Sequence, residues 1–103
     1  MVFTMGVHTH GKEKIVGVCE SKLIGKIITD GEMTLDLKNY AGFYGKKTSE
    51  QKIKEALKSA TVINLIGEKA ILLAKSIELL GEDELQKANN IGGIKHLQII
   101  KVD

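Results

Sequence analysis

The first twenty residues constrain this chain most. In residues 2–8, "VFTMGVH", Phe3, Met5 and Val7 fall on one side of an alternating run, the period of a half-buried strand. "THGKEK" reads as a turn, and 14–19, "KIVGVC", as a returning strand rich in β-branched residues. "ESKLIG" (20–25) reads as one helical turn closed by Gly25. Residues 26–30 and 32–38 then read as two further strands joined by Asp30-Gly31, a strong hairpin signal.

The second half changes character. Residues 39–45, "NYAGFYG", form a glycine- and aromatic-rich loop. Thr48, with Gln51 three positions on, fits a capping box, and Ile53, Ala56, Leu57 and Ala60 follow as one helical stripe. From Thr61 to Leu80 the chain is apolar nearly all round, which predicts a buried helix closed by Gly81. Gly67, Ala70 and Ala74 would form its small-residue row. The same residues admit a second reading, with "TVINLIG" a buried strand and the helix starting at Gly67, because short apolar runs are ambiguous. A final strand is expected at about 94–102. Its two faces would be Ile94, His96, Gln98, Ile100 and Val102, and Lys95, Leu97, Ile99 and Lys101.

The expectation is α+β: a mixed or mainly antiparallel four-to-five-stranded sheet against two helices, about 49–58 and 61–80. The 103 residues suffice for one domain, 1–103. Cys19 is the lone cysteine, so the core holds without an internal disulfide. No apolar run reaches the ~18 residues of a membrane span. The opening "MVFTMGVHTHG" lacks the regions of a secretory signal, so a cytoplasmic setting is expected.

The cations are 15 lysines and no arginine, at a net charge of +2. Lysine neutralises phosphate as a point charge but lacks the planar fork that reads guanine edges. Tyr40, Phe43 and Tyr44 cluster among Lys38, Lys46 and Lys47, and Lys52, Lys54 and Lys58 continue beyond. Residues 46–58 hold five Lys and two Glu, a charge of +3. Rings that stack bases among cations that hold phosphates are what single-stranded nucleic acid needs. Alternatively, the rings plug the core and the lysines solvate the surface.

"YAGFYGKKT" has the strand-to-helix context of a phosphate loop. Tyr40 occupies the first glycine position, however, and Lys47 stands where Ser or Thr must bind magnesium. His8, His10, Cys19 and His96 invite a zinc reading, but His8 and His10 lie at a turn and one cysteine gives weak spacing. No metal or cofactor is expected. Asn64 and Glu68, at i and i+4 of the expected helix, form either a site or a set of structural hydrogen bonds. His96 and Gln98 offer donors and acceptors beside the Gly92-Gly93 backbone, as a ligand floor or as structural partners. No catalytic triad or carboxylate pair stands out.

"VCESKLIGK", "FYG", "ATVINLIGEKAILLA" and "IGGIKHLQ" together resemble a small archaeal family known as domain of unknown function 424. The likeness runs over essentially the whole chain. The family's usual ending resembles Gly-Gly-Val-Pro-His-Ala-Gln; here Lys95 replaces the proline and Leu97 the alanine. Glu20 stands where the family tends to carry Asp. The resemblance implies an archaeal, cytoplasmic protein with a leaning to RNA binding and translation, and implies no activity.

The sequence therefore predicts a non-catalytic, RNA-associated accessory protein of archaeal translation or RNA processing, bound to RNA or ribonucleoprotein through Lys38, Tyr40, Phe43, Tyr44, Lys46, Lys47, Lys54 and Lys58. The alternative is a small ligand-binding protein or enzyme with a pocket around His96, Gln98, Asn64 and Glu68, beside Gly92 and Gly93. A homo-oligomeric structural partner is a third possibility.

Overall fold

The computed structural model describes residues 2–101. Strands β1 (Phe3–His10), β2 (Glu13–Glu20), β5 (Lys46–Thr48), β6 (Val62–Ile66), β7 (Asn89–Ile91) and β8 (Ile94–Ile100) form one sheet. Its order is β5-β1-β2-β6-β8-β7. β2 and β6 run parallel; every other neighbouring pair is antiparallel. β3 (Ile27–Asp30) and β4 (Met33–Asp36) form a separate hairpin. The helices are α1 (Glu50–Ser59), α2 (Glu68–Ser76) and α3 (Glu82–Gln86), with 3-10 turns at Ser21–Leu23 and Ala41–Tyr44. The α+β class holds. The main sheet has six strands rather than four to five, and the described residues hold three α-helices rather than two.

The expected 61–80 helix is replaced by β6 and α2. Ile63 and Leu65 point into the helix-side core, while Ile66 packs into a second cluster on the opposite face. A strand covered on both faces is apolar all round, so its sequence resembles that of a buried helix. Gly67, at φ +100, makes the break. Gly81 does not close a long helix: α2 ends at Ser76, and Gly81 precedes α3, donating its N–H to Glu84 at 3.2 Å. α1 begins one residue later than expected. Ser49 is the cap and accepts from Lys52 N–H, whereas Thr48 ends β5 and turns its hydroxyl to the Lys46 carbonyl.

Helices cover one side of the sheet. Phe3, Val16, Val18, Ile63, Leu65 and Leu97 meet Ile53 and Leu57 of α1 and Ala70, Ile71, Leu73 and Ala74 of α2. Each fully buried Leu or Ile stabilises by about 1.5–3 kcal/mol relative to exposure. On the other side, Cys19, Ile66 and Ile91 pack with Leu23, Leu35, Leu37 and Tyr44 from the 3-10 turns and the hairpin segment. That second layer covers only part of its face.

β8 shows the expected division of faces over its described residues; Val102 lies outside them. Leu97 is in the core and Ile99 packs against it. Lys101 reaches over the end of α1 and donates to the Leu57 and Lys58 carbonyls at 2.7 and 3.3 Å. These carbonyls lie in the last turn, where i to i+4 donors run out and Leu57 accepts from the Ala60 cap N–H at 3.4 Å, and a cation there also complements the helix dipole.

Candidate nucleic-acid interface

The strand registers build the second face as rows. One runs Gly6, Gly17, Asn64, Gln98 across β1, β2, β6 and β8. On one side of it lies His8, Ile15, Val62, Ile100, and on the other Thr4, Cys19, Ile66, His96. Two glycines in the middle row let the aromatic turn seat on the sheet. A Cβ on Gly17 would stand 2.6 Å from the Phe43 ring and 3.0 Å from Tyr44. Phe43 stacks on His8 with centroids 4.7 Å apart and planes 13° from parallel. His8 Nε2–H donates to the Phe43 carbonyl oxygen at 2.8 Å.

The three rings have different positions. Tyr44 is buried and meets Phe43 edge-on at 5.0 Å; burial and the neighbouring Cys19 push its hydroxyl up to about 12. It is a core ring, which meets the structural reading of the cluster. Phe43 is half-buried, and Tyr40 is 66% exposed. Burial, then Glu20, pushes the Cys19 thiol up to about 12 as well, leaving it protonated and unreactive at neutral pH.

The lysines divide between the two sides. Lys38 follows β4, exposed, beside Asn39. On edge strand β5, Lys46 shares the face of Met5 and Lys47 that of Thr4. Lys54 and Lys58 are on α1, across the sheet from Phe43. Among the described residues the ion pairs are Lys22–Glu20 and Lys75–Glu82, so none of these five cations is in one, although the Asn39 hydrogen bonds and then nearby Lys38 lower the Asp36 carboxyl pKa.

The residues suggested as a pocket separate into two places. Asn64 and Gln98 stand opposite each other on adjacent strands, with His96 two residues along β8. Side chains in this relation have Cβ atoms about 4.5–5.5 Å apart. Glu68 and Gly93 instead line a cavity of about 420 Å³ beside the N-terminus of α2, together with Glu20, Lys22, Gly67, Lys69 and Lys95. Asn64 and Glu68 therefore share no helix face. Gly92 and Gly93, at φ +57 and +86, make the β7–β8 turn. Gly92 N–H donates to Asp30 at 3.0 Å, and a Cβ there would meet Ile28 of the hairpin at 2.6 Å. The element that closely approaches this glycine backbone is thus part of the chain itself.

Glu20 was not anticipated as a structural centre. It is only 5% exposed, and its Oε2 accepts the Lys69 N–H at 3.1 Å at the start of α2. Lys22 Nζ lies 3.8 Å from its other oxygen. The signal was a carboxylate ending an apolar strand, where burial demands a partner. His8, His10, Cys19 and His96 do not gather: among the described residues no three His, Cys, Asp or Glu side chains form a metal-holding group.

Burial lowers the His96 pKa below its ordinary value of 6.5. The unfolded chain thus binds more protons than the native one on the acid side, so stability should fall as pH drops through 6.5 and below. His96→Gln should flatten this part of the pH–stability curve. Equal acid sensitivity in both proteins would assign the effect to another group.

Together these features define a mixed-sheet α+β protein with helices on one side and a half-open, ring-bearing face on the other. A family model described as "Protein of unknown function (DUF424)" matches residues 7–102, and the chain belongs to that family. A crystal structure of an uncharacterized conserved protein from Methanopyrus kandleri superposes with a TM-score of 0.75. At 23% identity, over 98% of this chain and 94% of that one, it shows the shared fold. No curated protein matches. Among the described residues no helix is long and apolar enough to cross a membrane.

Proposed function

We propose that the protein is a non-catalytic, RNA-associated accessory factor of translation or RNA processing. It contacts RNA through the half-open sheet face and the 38–47 segment. One observation carries the reading: the Phe43–His8 stack lies beside the Asn64–Gln98 row, whose amides make no hydrogen bond among the described residues, while lysines outside the ion pairs of the described residues flank the same segment. Stacking rings, free amides and point cations are the parts of a single-strand site. Tyr40, Lys38 and Lys47 remain in the proposed surface. Tyr44 serves it by holding the turn, and Lys46, Lys54 and Lys58 extend the positive charge to the opposite side.

Binding of labelled single-stranded RNA, followed by fluorescence anisotropy across a salt series, tests this. Wild type should bind with a steep salt dependence. Replacing Lys38 and Lys47 with Ala should make the slope of log K against log salt shallower by about 1.4, two contacts at about 0.7 each. Tyr40→Ala, at an exposed position, should weaken binding about tenfold, within the 1–3 kcal/mol typical of one base stack. Salt-insensitive or undetectable wild-type binding would end this reading.

A further inference from the structure

We infer that Asn64 and Gln98 form a base-reading pair, which makes the ligand an RNA strand with unpaired bases. The inference rests on the RNA reading above and adds to it which groups recognise what. The two amides face each other across β6 and β8, in the same row as the glycines on which the Phe43 turn sits. Each carries two N–H donors and a carbonyl acceptor. Neither side chain is hydrogen-bonded among the described residues, Gln98 is exposed and Asn64 half-exposed, so this capacity is available to a ligand. The neighbouring row supplies an apolar floor of Ile15, Val62 and Ile100, the last 64% exposed. A base can therefore lie against apolar surface or the ring stack while its edge meets an amide.

The ligand follows from geometry and charge. In an A-form duplex the Watson–Crick edges are engaged and the major groove is too deep and narrow for side chains on a flat sheet. Bases in a single strand can turn outward and present those edges. With no arginine in the chain, the bidentate base contacts characteristic of that residue are unavailable. Amides supply the same two-point geometry without charge, and lysines are left to hold phosphates. Discrimination between bases should thus depend on Asn64 and Gln98, and salt dependence on the lysines.

The test uses fluorescein-labelled ten-nucleotide homopolymers of A, U and C and a hairpin duplex of comparable length. Wild type should favour the single strands over the duplex by at least about tenfold and spread the three homopolymers by about tenfold, the lower end of what amide–base pairing supplies. The Asn64→Ala/Gln98→Ala variant should bring that spread within about twofold and keep the wild-type salt slope. Gln98→Ala alone, at the exposed position, should narrow the spread partway and provides the result if the double variant does not fold. Salt-dependent wild-type binding without a spread, or a spread that survives both variants, overturns base reading by the amides and leaves the RNA reading standing. Failure of wild type to bind any strand overturns both.

Discussion

Gly67→Leu should lower the melting temperature sharply, although leucine is the better helix former. Gly67 sits at φ +100 between β6 and α2, where a Cβ would stand 2.1 Å from the Glu20 carboxylate. Two costs add. A non-glycine residue in that backbone region carries strain of order 1–3 kcal/mol. Displacing Glu20 strands a buried carboxylate and the Lys69 N–H that it accepts, typically about 1–3 kcal/mol more. Together these come to roughly 2–6 kcal/mol, or a fall of roughly 10 °C or more in a domain of this size. Gly25, at φ +94 with open space around its Cβ position, separates the two costs. Gly25→Ala should carry the strain alone, and Gly67→Ala should be clearly worse. Equal losses at both positions would show that the Glu20 contact carries no weight.

Gly6→Val should be comparably damaging, and for a reason opposed to local preference. Valine is favoured in strands, yet a Cβ on Gly6 would stand 2.0 Å from the Phe43 carbonyl oxygen and 3.1 Å from the Gly45 nitrogen. Both are backbone atoms and cannot swing aside, so the aromatic turn must lift from the sheet. The expected cost is about 3 kcal/mol, the upper part of the usual overpacking range. Lifting the turn also exposes Tyr44, so its hydroxyl pKa, held up at about 12 by burial, should move down towards 10 in a spectrophotometric titration. Gly42→Ala, in the same turn with nothing within 4 Å of its Cβ position, should leave both measurements unchanged. A native melting temperature and tyrosine titration in Gly6→Val would show that the turn is not seated on β1.

Much of the architecture was legible where one face of an element is wet. β1, the stripe of α1 and the two faces of β8 follow from a period of 2 or 3.6, whereas β2, buried over residues 16–20, was legible from its β-branched residues and the hairpin from Asp30-Gly31. β6 was less clear because helices cover one of its faces and the Ile66 cluster covers part of the other, which erases the contrast on which periodicity depends. The expected 39–45 loop holds the 3-10 turn Ala41–Tyr44, but sequence could not distinguish a stacking ring from a core ring. Phe43 and Tyr44 are adjacent in the chain; what separates them is that one rests beside His8 and the other enters the cluster of Cys19, Leu37 and Ile66.

The sequence by itself determined the α+β class, the family, the lysine-only chemistry of the cations and the sharing of one β8 face by His96 and Gln98. Each is a property of composition or of side-chain alternation, which the backbone imposes locally. Tertiary structure alone decided the parallel pairing of β2 with β6, the partnership of Glu20 with α2, and the row that sets Asn64 against Gln98. These join residues 34 to 49 positions apart in the chain. Alternation specifies which way a side chain points; what stands opposite depends on register, and register is settled only when the whole sheet closes over its core.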